Sequence, residues 1–160
     1  MKKKVLPVIV AILLILVIGG CALGKVLLDK YSYSKEEADW NEFYQVSEND
    51  RSAIILQNEI VEEQALIKDG VCYFDLATVH KYLNEVFYAD KTENLLLYAT
   101  PTEVIRTTFG ETAYTTAEGT QEAGYVISFA DGDNVYVAAD YVKLFTNYSY
   151  ECYDRHVQVN

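Results

Sequence analysis

The sequence predicts an α+β protein, an N-terminal transmembrane helix followed by a small domain of two duplicated strand–helix–strand units. Three observations predict it. Twenty residues without a charge, Val5 to Gly24, follow the "MKKK" of the amino terminus. "VCYFDLATVHKYLNEVF" (Val71–Phe87) and "NVYVAADYVKLFTNYSY" (Asn134–Tyr150) align without a gap at an offset of 63 residues, the separation of Tyr73 from Tyr136. In both stretches an aromatic and β-branched run gives way to apolar residues at helical spacing: Leu76, Val79, Tyr82 and Leu83 in the first, Ala138, Tyr141, Val142 and Phe145 in the second.

At a rise of about 1.5 Å per helical residue, the uncharged run reaches roughly 30 Å, the hydrocarbon thickness of a bilayer. Lys2, Lys3 and Lys4 hold the amino terminus in the cytoplasm and send the rest of the chain outside. Three fates compete for the segment. "GCA" at Gly20–Ala22 reads as a small-x-small signal cleavage site. "IGGC" at Ile18–Cys21 reads as a lipoprotein box with Cys21 lipidated. In an uncleaved signal anchor Cys21 is only a small apolar residue. The apolar run continues past Cys21 and "VLL" resumes beyond Lys25, which favours the anchor. Residues 1–28 are therefore read as a cytoplasmic tip and single-pass signal anchor, with membrane lipid as the partner of residues 5–24.

Residues 29–50 form an acidic juxtamembrane stalk, with Ser34 placed to cap a helical turn. Trp40, Phe43 and Tyr44 are expected to dock this stalk on the domain or to rest at the membrane surface. The domain proper spans residues 51–160, with repeat units at about 65–99 and 125–160. "SAIILQNEIV" and "QALIKDGVCYF" read as successive strands with turns at "QNE" and "KDG". A helix at Leu76–Asn84 follows, then strands at Val86–Ala89 and Leu95–Ala99 joined by "DKTEN". "TPTE" at Thr100–Glu103 reads as a turn before the strand "VIRTT", in preference to a capping box. Gly110–Gly124 is small, polar and acidic, which predicts an exposed loop or a loose hairpin between the units. "YVISF" opens the second unit, in which Val142 and Phe145 are expected to match Val79 and Tyr82 on buried helix faces. The chain stops just after the strand-like "HVQV", which raises the expectation of a further domain beyond residue 160.

Charge and chemistry narrow the function. From Asp29 onward nine basic residues face 24 acidic ones, a balance of −15. Such a surface repels nucleic acid, which is not expected as a partner. Fourteen tyrosines suggest a sugar-stacking surface. Tyr73, Tyr88, Tyr98, Tyr136 and Tyr150, however, lie in predicted strands, where aromatics are favoured in any case. His80 is expected at the surface of its helix, and the second histidine, His156, has no equivalent in the other unit. "DGD" at Asp131–Asp133 lacks the later ligands of a calcium loop and reads as a turn. Cys72 and Cys152 leave room for one bridge, or stand as two isolated thiols. "NYS" at Asn147–Ser149 is a glycosylation sequon without further support. No catalytic, cofactor-binding or metal residues are assigned, and no cofactor is expected.

The repeated "DGVCYFDLATVHKYLNEVFYAD" and "NVYVAADYVKLFTNYSYECYD" resemble the copper-amine-oxidase N-terminal-like (stalk) domain of Firmicutes cell-surface proteins. The whole layout, from "MKKK" through the stalk "YSYSKEEADWNEFY", is similar to the amino-terminal region of membrane-anchored family 18 glycoside hydrolases of clostridia. That resemblance implies no copper and no oxidase. It implies a non-catalytic extracytoplasmic module that positions a partner domain at the cell surface. The catalytic barrel, with its Asp-x-x-Asp-x-Asp-x-Glu strand end, would lie outside this chain. The competing expectation is a module that binds cell-wall carbohydrate or peptidoglycan through surface tyrosines.

Overall fold

The computed structural model describes residues 39–46 and 48–160, together with Gly24, Lys25, Leu28, Lys30 and Tyr31, which are helical. The last five belong to a separate unit, Met1–Ala38, and the fold below is that of the second, Asp39–Asn160.

A short helix α1 (Trp40–Tyr44) opens the unit, capped by Asp39, whose carboxylate accepts the Asn41 N–H at 2.9 Å. Three strands follow, β1 (Arg51–Leu56), β2 (Glu59–Lys68) and β3 (Val71–Asp75). The residues between them set the hairpins. Gln57 and Asn58 adopt φ of 53° and 67°, and Asp69 and Gly70 adopt 52° and 78°. Positive φ at both central positions is the two-residue turn whose twist matches antiparallel strands. The turn signals "QNE" and "KDG" carry this chemistry. Helix α2 (Leu76–Tyr82) leads to β4 (Phe87–Asp90), β5 (Leu95–Ala99), β6 (Val104–Thr108), β7 (Ala113–Thr116) and β8 (Gly119–Glu122). The chain then returns through β9 (Ser128–Asp131), β10 (Asn134–Ala138), helix α3 (Ala139–Lys143), β11 (Tyr150–Cys152) and β12 (His156–Val159).

The fold corrects the expected class. Among the described residues strand outweighs helix 47% to 17%, and the strands make two sheets. One has seven strands in the order β11-β12-β1-β2-β3-β10-β9, and the other is the five-stranded meander β4 to β8. This is a mostly-β domain, not an α+β one. Two causes separate expectation from outcome. The helical spacing is real but lasts only seven residues in α2 and five in α3. The segment read as a loop or loose hairpin forms β7 and β8, which extend a second sheet. Nor do the two similar stretches close into two equal units. After α2 the chain enters the five-stranded sheet, whereas after α3 it rejoins the seven-stranded one. No helix among the described residues is long and apolar enough to cross a membrane. The run Val5–Gly24, expected to be the transmembrane helix, lies outside the described residues except for Gly24, as does the Ser34 cap.

Locally the two stretches keep the same element order, and their boundaries differ by the same offset: β3 and β10 begin at Val71 and Asn134, α2 and α3 at Leu76 and Ala139, β4 and β11 at Phe87 and Tyr150. β3 and β10 pair antiparallel with Phe74 opposite Val137, two positions that the offset equates. The flanking pairs, Tyr73 with Ala138 and Tyr136 with Asp75, exchange under the same offset. The two stretches therefore meet about a local two-fold axis through the Phe74–Val137 pair. The helices differ where the sequence does. Asp75 caps α2 by accepting the Ala77 N–H at 2.9 Å, while its equivalent Ala138 offers no side-chain cap to the shorter α3. Val79 and Val142 are both buried, and Tyr82 and Phe145 are half-buried one turn on.

Candidate functional site

The three roomiest concave regions described on the domain surface are separated by the state of their polar groups. The first is a polar cleft of about 410 Å³ that includes Arg51, Glu63, Asp75 and Tyr136. Its charges already answer one another. Arg51 donates to the Tyr136 hydroxyl at 3.1 Å, lies over the same ring, and pairs with Glu48 at 3.5 Å. One Glu63 oxygen accepts from Lys81 at 2.7 Å and the other from the Tyr82 hydroxyl at 2.8 Å, and the Lys81 bond leads in holding this carboxyl below its usual range. Asp75 is committed to capping α2. A ligand here would have to displace bonds the protein already makes.

The second region is aromatic. Trp40 stacks on Tyr44 at 6.1 Å, Tyr44 on His156 at 4.8 Å, and His156 on Tyr153 at 4.6 Å. A groove of about 320 Å³ runs along this column, with Asp154 and Arg155 at its side. Each inner ring spends its faces on its neighbours, so the column chiefly fixes α1 to the strand β12. Val46, buried at 2% exposure, and the bond from the Gln64 amide to the Gln45 carbonyl, at 2.9 Å, complete that attachment. Of the two roles expected for Trp40, Phe43 and Tyr44, docking on the domain is seen for Tyr44. Trp40 and Phe43 remain 57% and 60% exposed.

The third region is a groove of about 720 Å³ that lies beside the carboxyl ends of α2 and α3. Asn84 and Asn147, equated by the 63-residue offset, both line it, with Tyr98, Thr100, Glu103, Tyr148 and Asn160. Its floor contains the stacked pair Tyr98–Phe145 at 4.3 Å. Asn84 donates its amide to the Phe145 carbonyl at 3.1 Å, tying the two helix ends together. Amides and hydroxyls around aromatic rings, with the carboxylate of Glu103, make a surface that suits a polyol such as a sugar, which needs directional hydrogen bonds and an apolar face.

The tyrosines singled out in the sequence fare unequally. Tyr73 and Tyr136 are buried, with the Tyr73 hydroxyl donating to the Val126 carbonyl at 2.9 Å. Tyr98 and Tyr150 are half-buried, and only Tyr88 of the five is exposed. Among them Tyr98 alone lines the amide groove, and Tyr148 joins it from a loop that no periodicity marked. His80 is exposed as expected, with its Nε2 2.6 Å from the Phe87 carbonyl. Asp131 to Asp133 lie at the β9–β10 turn, where Lys91 donates to the Asp133 carbonyl at 2.6 Å. Among the described residues no group of His, Cys, Asp and Glu is arranged to hold a metal ion. No protein-family model matches the chain, and no curated protein or solved structure is significantly similar to it.

Proposed function

We propose that the chain is a non-catalytic, membrane-tethered extracytoplasmic module that positions a partner domain at the cell surface. Its place is that of the amino-terminal part of a family 18 glycoside hydrolase whose barrel lies beyond this chain. One observation carries the reading. β1 and β12, the first and last strands, are parallel neighbours, with Ala53 opposite His156 and Leu56 opposite Val159. The chain thus enters at one end of the strand pair and leaves at the other, displaced by roughly 15–20 Å at about 3.3 Å per residue. An in-line element of this kind adds length between a tether and whatever follows. The aromatic column fixes the entering segment at one of those ends, and the strongly acidic composition keeps such a surface soluble. The physical benefit is effective concentration, because a tethered partner stays within reach of its polymer substrate.

The tether is tested by cell fractionation. The variant Cys21→Ala should remain in the membrane fraction with the mass change of that substitution alone. Release into the medium, or loss of a lipid-sized mass relative to the unaltered chain, would exclude the uncleaved anchor in favour of a lipoprotein.

The amide groove favours a second reading, a module that binds cell-wall carbohydrate. Here Tyr148 supplies a ring and Asn147 an amide, whereas the Asn84 amide is already bonded to the Phe145 carbonyl and the Val86 N–H. A ligand at about 100 times its Kd raises stability by about 2.7 kcal/mol, a shift that thermal melting detects. The spacer reading expects no shift in Tm with chitin or peptidoglycan fragments. A saturable shift lost in Asn147→Ala, at an exposed position, would establish the second reading instead.

A further inference from the structure

Cys72 and Cys152 stand 80 positions apart, yet the fold brings them together. Side chains alternate along a strand, so Cys72 shares a face of β3 with Phe74, and Cys152 shares a face of β11 with Tyr150. The rings of Phe74 and Tyr150 meet edge to face, with centroids 6.3 Å apart. Through the pairings between them β3 and β11 run antiparallel. Two residues toward the amino end of β3 and two toward the carboxyl end of β11 therefore lead the same way from that contact, to the two cysteines. The cross-strand partners of Cys152 and Tyr150 are Val157 and Val159, both buried, which places this face of β11 toward the core. Both thiols are free in the structure, Cys72 buried and Cys152 exposed at the sheet edge.

Their ionisation reports the same proximity. Hydrogen bonding to Cys152, then burial, pushes the Cys72 thiol up, and hydrogen bonding from Cys72 pulls the Cys152 thiol down. The exposed sulfur is thus the better thiolate and the buried one the better-protected thiol.

We infer that Cys72 and Cys152 are a cross-linking site, closed by an external disulfide to an intramolecular bond that pins the edge strand β11 across to the inner strand β3. The Cys152 thiolate attacks one sulfur of the external disulfide, forms a mixed disulfide and expels the first thiolate. Cys72 loses its proton and attacks the Cys152 sulfur, which forms the Cys72–Cys152 bond and expels the second thiolate. Two protein thiols are oxidised, and one disulfide is reduced to two thiols. The bond joins the two similar stretches, yet neither cysteine has a cysteine at its equivalent position, because Cys72 maps to Val135 and Cys152 to Ala89. It therefore adds a constraint specific to this chain. Formation needs the fold and an external disulfide, whereas persistence in the cell requires the extracytoplasmic setting proposed above.

The full chain carrying Cys21→Ala holds these two cysteines alone. Purified in detergent, reduced and then exposed to glutathione disulfide, it should lose both maleimide-reactive thiols with a mass loss of two hydrogens. Proteolysis should yield one peptide joining the segments that contain Cys72 and Cys152. The oxidised form should melt about 10 °C above the reduced form, since a loop this long is costly to close only in the unfolded chain. Cys152→Ser, at an exposed position, should abolish that difference, and Cys72→Ser should trap glutathione on Cys152. Two thiols that stay reactive, a stable glutathione adduct on the unaltered pair, or dimers linked through Cys152 would each overturn the inference.

Discussion

Phe87→Ala is expected to destabilise the domain by about 3–5 kcal/mol, the range for removing a buried phenylalanine ring whose space does not collapse. Phe87 opens β4 in the five-stranded sheet, opposite Tyr98, and is only 2% exposed. Its ring centroid lies 5.2 Å from Tyr98, 6.2 Å from Tyr141 and 5.8 Å from Phe145. Tyr141 belongs to α3 and Phe145 to the turn just after it, and α3 follows a strand of the other sheet. The ring is therefore a joint between the meander and the rest of the core. Such a loss is a large fraction of the about 5–15 kcal/mol that holds most domains folded. Urea denaturation should show the midpoint falling steeply. Its neighbour Tyr88, 59% exposed, provides the control, and Tyr88→Ala should stay within about 0.5 kcal/mol. A Phe87→Ala loss no greater than that of the control would refute the joint.

The first half of the domain was the most legible from sequence, and turn chemistry explains why. "QN" and "DG" occupy positions with positive φ, so β1, β2 and β3 follow from local residues. β5 falls at the expected Leu95–Ala99, where apolar residues run unbroken between polar turns. β6 likewise falls on the expected "VIRTT", and only the last two strands of the second sheet, β7 and β8, were obscured by their composition. β8 is "GTQE", exposed at every position, and its place is set by pairing with β7 and not by an apolar pattern. The helices were overestimated for a related reason. Leu83 keeps the helical spacing of its predecessors but ends the helix, and Asn84 turns its amide to the Phe145 carbonyl instead. Two features of high sequence separation were invisible. The β1–β12 pairing and the Tyr44–His156 stack each join residues with no local signal of their partner, whereas the pairing of Cys72 with Cys152 was one of two readings open from cysteine count alone.

Alkali should unfold the domain steeply, because several of its tyrosines ionise far less readily when folded. Burial is the leading cause at Tyr73, Tyr125, Tyr141 and Tyr150. Tyr125 is pushed up to about 12, and a hydrogen bond to Asp140 adds to the effect at Tyr150. All four folded values lie above the unfolded one, near 10. Below that pH both states keep their phenolic protons, so the stabilisation is complete and does not vary. Above it the unfolded chain releases protons that the folded chain retains, and stability falls until the folded groups ionise in turn. Each retained proton steepens the fall by about 1.4 kcal/mol per pH unit. Tyr141, 1% exposed, contributes in full, and Tyr73 and the two half-buried rings add in the same direction. The reduced Cys72 thiol, also pushed up, adds to the same fall, so the cleanest reading is a difference between variants. Tyr141→Phe should shed about 1.4 kcal/mol per pH unit of slope. It should also hold or raise stability at neutral pH, since the Tyr141 hydroxyl is buried without a hydrogen-bond partner. Urea midpoints between about pH 8 and 11, read beside tyrosinate absorbance, provide the measurement. If the midpoint stays level through about pH 11, or Tyr141→Phe leaves the slope unchanged, then Tyr141 does not hold its proton against the solvent, and its burial against Phe87 and Phe145 is looser than the ring distances imply.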